Sequence, residues 1–202
     1  LADPDPIGQV IAHAPVPFPV AKHVGTIIAE PGGFVSTALH SPVTGTIRKV
    51  GDFRGVDGRF APAIGIEADP FATQEVDAGS AIDWESMSLD DFIRGVQMAG
   101  IVGMGGATFP SAVKLNLRER YSLHTLVINA AECEPYLTTD HRVMLEQADD
   151  IFMGIKYLLK ATGAKRCIIG IEANKQDAAD HLQRLLPAGE PITVQVVPVK
   201  YP

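Results

Sequence analysis

The chain is predicted to be an α/β protein, with a parallel-sheet domain preceded by a small all-β domain. Three observations carry that prediction. Apolar runs at 125–128, 166–171 and 192–197 alternate with longer segments of helical period, the pattern of βαβ units and a parallel sheet. Residues 1–68 are instead rich in proline, glycine and β-branched residues, with short apolar runs separated by turn signals. The 46% hydrophobic content over 202 residues is enough to build cores of that size.

In the first domain, short strands are expected at 25–29, 45–50 and 63–66. Pro31-Gly32-Gly33, Ser41-Pro42 and Gly51-Asp52 mark turns between them. His13, His23 and His40 lack metal-ligand spacing and are assigned to surface or hydrogen-bonded roles. Residues 69–87 shift to acidic and small residues and form the expected linker, with Trp84 as the point where it packs down. From Ser88 the second domain, 88–202, begins with a helix. Ser88 and Asp91 form a capping box, Leu89, Phe92, Ile93 and Val96 recur at helical spacing, and Gly100 stops it. A long helix is expected from about Asp140 to Thr162, with Val143, Met144, Ala148, Ile151, Ile155, Leu158 and Leu159 facing the core, and another from Lys175 to Leu186.

Composition excludes several classes. A formal charge of −7 argues against nonspecific nucleic-acid binding, which wants a basic face. No apolar run approaches the roughly 20 residues that span a bilayer. The acidic, proline-broken start lacks signal-peptide character and an initiator methionine, so the chain is expected to be a piece of something longer. Two cysteines, Cys133 and Cys167, support neither a disulfide framework nor a cysteine-ligated cluster, and no metal site is expected. Cys167 falls in an apolar strand and belongs to the core.

The chemistry is concentrated between Gly100 and Arg142. Gly103-Met104-Gly105-Gly106-Ala107-Thr108-Phe109-Pro110 is a glycine-rich loop entering a helix, where backbone N–H groups approach an anion closely. Pro110 suits the first helical turn, and Lys114, about one turn on, reaches back toward the anion. Asn129, Glu132 and Glu134 follow the strand at 125–128, where ligands of open α/β sheets collect. A phosphate cradle and paired acids together suggest a nucleotide. Alone, such a loop is as readily a plain turn, and the helix expected before it excludes the dinucleotide fingerprint, which follows a strand.

These two blocks, Gly103-x-Gly105-Gly106-Ala107-x-Phe109-Pro110 with Lys114, and Asn129-Ala130-Ala131-Glu132-Cys133-Glu134-Pro135, resemble the flavin domain of the C subunit of Rnf-type electron transport complexes. They are similar, more distantly, to the flavin-binding subunit of respiratory complex I. The resemblance covers roughly Ser88 to Pro202 and implies a Rossmann-like domain. It also implies that Gly103, Gly105 and Lys114 contact FMN phosphate and that Asn129 and Glu132 lie on the flavin side. Gly106, Phe109 and Glu134 are implied to meet NADH, with Tyr201 at the point where the family's flavin site continues. Ala131 and Cys133 stand where complex I has an acid and a serine, and both fit the Rnf pattern. Cys133 lies between two carboxylates, which disfavour a thiolate and with it a nucleophilic role.

His40-Ser41-Pro42-Val43-Thr44-Gly45-Thr46-Ile47 resembles half of the barrel-sandwich fold of lipoyl and biotinyl domains, which the C subunits of Rnf complexes have near their N-terminus. Neither Lys22 nor Lys49 sits at a hairpin tip as a prosthetic lysine must, so a structural or docking role is expected. The resemblance further implies an NADH-oxidising, FMN-binding module of an ion-translocating complex, peripheral on the cytoplasmic side of the bacterial inner membrane. Its partners would be other subunits of the complex and, indirectly, a ferredoxin-type acceptor. The family's 4Fe–4S clusters belong to a cysteine-rich part absent here, so this chain alone is expected not to turn over. A soluble relative, such as the cobalamin reductase of bacterial microcompartments, and a non-catalytic interaction module are the alternatives.

Overall fold

The computed structural model describes residues 20–76, 82–104, 108–116, 122–132, 134 and 136–200. Its packing divides the chain between Lys114 and Leu115 into two compact units.

In the first unit, β1 (Val20–Lys22), β4 (Gly45–Arg54) and β5 (Phe60–Ala68) form an antiparallel sheet in the order β1-β4-β5. β2 (Ile27–Ala29) and β3 (Leu39–His40) form a separate two-stranded sheet. Pro31-Gly32-Gly33 and Ser41-Pro42 separate the short strands as expected, but Gly51-Asp52, expected to turn, lies inside β4 and pairs with Ala63 and Pro62, so β4 and β5 run beyond their apolar cores into a long hairpin. Ile47, 1% exposed, anchors that hairpin. The segment after β5 folds back: Asp69 N–H donates to Thr44 O (2.9 Å), and Thr44 N–H donates to the Gln74 side chain (2.9 Å). The start of the expected linker is therefore tied to the hairpin. His13 lies outside the described residues.

Helix α1 (Leu89–Met98) begins where Ser88 predicts. Ser88 Oγ accepts from Asp91 N–H (3.1 Å) and donates to the Asp91 carboxylate (2.6 Å). Gln97, in its last turn, is bound from both ends. Its carbonyl accepts from Ala38 N–H and Thr37 Oγ1, and its side-chain amide donates to Gly33 O and Ser36 O. Those four bonds place α1 in the same packing unit as the β-rich segment, although composition changes at Ser88. Gly100 ends the helix at φ +72°, where a Cβ would also stand 2.9 Å from both Ala38 O and His40 Nδ1. Only glycine satisfies both conditions. Helix α2 (Ser111–Leu115) follows the glycine loop.

In the second unit, β6 (Thr125–Ala130), β7 (Arg166–Glu172) and β8 (Ile192–Val197) form a parallel sheet in chain order. Its register pairs Ala130 with Ile171 and Ile171 with Val196. The expected long helix is two helices, α3 (Thr139–Glu146) and α4 (Ala148–Thr162), because Gln147 leaves helical geometry at φ −132°, ψ 38°. The break lets α3 pack on α5 (Gln176–Leu185) while α4 packs on β6 and β7, which a straight helix could not do together. Met144, Ala148 and Ile155 are buried as predicted, whereas Val143 is 36% exposed; Phe152, absent from that prediction, is buried. The core is Cys167, Ile169 and Ile171 of β7 against Phe152, Ile155, Ala178 and Leu182, all nearly inaccessible to solvent. Burying each large aliphatic side chain contributes about 1.5–3 kcal/mol. Among the described residues no helix is long and apolar enough to cross a membrane, and no group of acidic, histidine or cysteine side chains could hold a metal.

Candidate functional site

The glycine loop is closed at its base. Val102 and Pro110 form an isolated antiparallel bridge, Gly103 N–H donates to Phe109 O (2.9 Å), and Ser111 N–H donates to Ile101 O (3.0 Å). Pro110 thus stands just ahead of α2, not inside its first turn. With five residues, α2 supplies little dipole, so an anion here would rely on loop amides and Lys114. Thr108 adopts φ +48°, uncommon for a β-branched residue and found where surrounding structure over-determines the backbone.

Gly103 contributes space. Its N–H is spent on closing the loop, and a Cβ there would stand 2.6 Å from Lys114 Nζ. The lysine ammonium occupies the room that glycine leaves. Lys114 is exposed, lies 5.9 Å from the centroid of the Phe109 ring, and pairs with no carboxylate among the described residues. Phe109 is 39% exposed. The structure therefore gathers Gly103, Phe109 and Lys114 in one place. Gly105, Gly106, Cys133 and Tyr201 lie outside the described residues.

The acids form a second arrangement at the carboxyl end of β6. Asn129 lies inside the strand, not beyond it, since β6 runs to Ala130. Its Oδ1 accepts from Ala131 N–H (3.1 Å), which turns the chain. Glu132 then points inward, with its side chain only 4% exposed. Its Oε1 accepts from Asp140 N–H (2.9 Å) at the start of α3, and its own N–H donates to Glu172 Oε2 (3.3 Å). Lys175 Nζ stands 3.1 Å from Glu132 Oε2, yet that oxygen has no hydrogen bond. The ammonium sits within ion-pair range but outside hydrogen-bond geometry. Glu134 is exposed, on a turn where Leu137 N–H donates to Glu134 O (3.3 Å) and Tyr136 adopts φ +67°.

Sequence reasoning passed over Glu172 and Lys175. The signal was present: Glu172-Ala173-Asn174-Lys175 puts two charges directly past the apolar run at 166–171, at the same sheet edge as Glu132.

Comparison with known proteins identifies the family of the chain. The family model of the Nuo51 FMN-binding domain matches residues 96–202. The C subunit of the ion-translocating oxidoreductase complex of Rhodobacter capsulatus is 42% identical over 184 residues, covering 88% of this chain and 35% of that protein. The C subunit of the Na(+)-translocating ferredoxin:NAD(+) oxidoreductase complex of Acetobacterium woodii is 37% identical over 179 residues, covering 89% of this chain and 40% of that protein. A chain of an NAD+-reducing NiFe hydrogenase in the H2-reduced state is 27% identical, covering 55% of this chain and 21% of that one at a TM-score of 0.47, too slight a likeness to argue from. This chain spans between a third and a half of the length of those two relatives from ion-translocating complexes. Over that span, it belongs to the C-subunit family of ion-translocating oxidoreductase complexes and carries that family's Nuo51-type FMN-binding domain.

Proposed function

We propose that this chain is the NADH/FMN module of an ion-translocating electron transport complex, taking reducing equivalents from NADH and passing them on through FMN. The observation that carries the reading is the Lys114 ammonium, held over a glycine whose Cβ would collide with it and left without a carboxylate partner among the described residues. A cation so placed suits a phosphate. The buried Glu132 Oε2, without a hydrogen bond, is an acceptor suited to a ligand N–H or O–H. Both features fit FMN.

In this reading Gly103, Gly105 and Lys114 hold the phosphate, and Asn129 and Glu132 lie beside the flavin. Gly106, Phe109 and Glu134 meet the nicotinamide nucleotide, Phe109 by stacking and Glu134 by accepting hydrogen bonds. Tyr201 stands at the continuation of the site. Bound FMN supplies the conversion from a two-electron donor to one-electron acceptors; the residues here bind and orient. The 4Fe–4S clusters, the other subunits and the ferredoxin-type acceptor lie beyond this chain, and the assembly sits peripherally on the cytoplasmic side of the membrane. Residues 1–68 serve as a barrel-sandwich-like docking domain, 69–87 as the linker, and 88–202 as the nucleotide-binding domain.

NADH added anaerobically to the FMN-loaded full-length protein is expected to bleach oxidised-flavin absorbance, more slowly in Glu134→Ala. Unchanged absorbance would refute the reading. The 202-residue chain alone is expected not to drive NADH-dependent reduction of a one-electron acceptor, and turnover by it would show that no further segment is needed.

A further inference from the structure

We propose that Lys175 and Glu172 are positioning residues of the flavin half-site, holding the Glu132 carboxylate and the turn behind it in one arrangement. The proposal rests on the FMN reading and adds to it two side chains from a different strand end. Glu132, Glu172 and Lys175 are all largely buried: the glutamates are 7% and 8% exposed, and the lysine side chain 14%. Glu132 Oε1 takes the backbone N–H of Asp140, in the first turn of α3, where Thr138 at the N-cap position makes no side-chain bond. The helix is thus capped by a carboxylate eight residues upstream. Glu172 Oε2 takes the Glu132 N–H, and Lys175 neutralises Glu132 Oε2 from 3.1 Å.

These contacts anchor Glu132 and the start of α3, on either side of Glu134 and the left-handed Tyr136. A buried ion pair contributes little net stability compared with apolar residues of similar volume. Losing one partner, however, strands the other charge, so the arrangement is specific even where it is not strongly stabilising. Lys175 acts on the ligand through Glu132: it keeps Oε1 on Asp140 and leaves Oε2 with an uncommitted acceptor site.

The test uses the full-length protein, with FMN affinity from flavin fluorescence and, without FMN, amide hydrogen exchange over 131–141. Lys175→Met and Glu132→Gln should each weaken FMN binding on the order of tenfold. The double variant should be no weaker than the weaker single one, and Lys175→Arg should recover most of the affinity. Amide protection over 131–141 should fall in Lys175→Met. Wild-type protection and affinity in Lys175→Met, or losses that multiply in the double variant, would overturn the proposal. Should Lys175→Met not fold, Lys175→Gln, which retains a donor, takes its place with the same two readouts. A wild-type protein that takes up no FMN would refute the flavin reading, while amide exchange still decides whether Lys175 holds the turn.

Discussion

Gly103→Ala separates binding from stability. The new Cβ would meet Lys114 Nζ at 2.6 Å, whereas ordinary contact begins about 1 Å further out. Its other neighbours are comfortable, with Phe109 O at 3.7 Å and Lys114 Cε at 3.8 Å. The atom that must move is the end of a flexible, exposed side chain, so the fold should lose no more than about 0.5 kcal/mol. Binding should suffer more. A retreat of about 1 Å lengthens an ammonium–phosphate contact from about 3 to about 4 Å, which at an effective dielectric of about 20 costs about 1.4 kcal/mol, or tenfold in affinity. Gly45→Ala is the contrasting control, because there a Cβ would meet the backbone oxygen of Glu67 at 2.2 Å and Ala68 Cα at 2.9 Å. Nothing flexible yields in the β4–β5 ladder, and a loss of about 1–3 kcal/mol is expected. Urea unfolding and FMN titration of both variants make the comparison. A Gly103→Ala protein that binds FMN like the wild type would refute the argument that this glycine exists to seat the lysine.

Three further predictions follow from single residues. Burial pushes the Cys167 thiol up to about 11 from an ordinary 9.0, so its contribution to stability is complete below the unfolded value. It is lost as pH rises toward 11, by about 2–3 kcal/mol, and Cys167→Ala should remove that alkaline decline in urea unfolding. Tyr136→Gly removes a fully exposed side chain from a left-handed backbone, and relief of strain should outweigh added chain entropy, raising stability by about 0.5–1 kcal/mol in urea unfolding. The hydrogen bond from His141 holds the Asp177 carboxyl below the usual carboxylate range. Its contribution is therefore present above the unfolded value and lost as pH falls through the lowered one, and an NMR titration of His141→Ala should show Asp177 titrating nearer its ordinary value.

How much of this was legible in the sequence depended on whether a signal was local. The runs at 166–171 and 192–197 placed β7 and β8 within a residue, because β-branched residues between helical segments leave few alternatives, whereas β6, expected at 125–128, runs on to Ala130. Ser88 announced its helix because capping needs only neighbours three residues away. The break at Gln147 was invisible: no glycine or proline marks it, and it follows from α3 and α4 packing on different elements. Gln97 likewise looks like a surface residue of α1, and only the folded chain brings Gly33, Ser36, Thr37 and Ala38 to it. In the candidate site, the spacing of Gly103 and Lys114 suggested that they act together, but the contact between them was not legible, since the ammonium over Gly103 is a matter of space and not of backbone angle. Two of the partners of Glu132, Glu172 and Lys175, come from 40 or more residues away, beyond any local pattern.

The most direct test of the central claim is titration of the full-length protein with FMN, followed by flavin fluorescence, beside Lys114→Ala. Saturable binding, weakened on the order of tenfold or more by the substitution, is the expected result. Equal affinity in the two proteins, or no uptake by the wild type, would contradict the assignment of the glycine loop and Lys114 as the phosphate cradle.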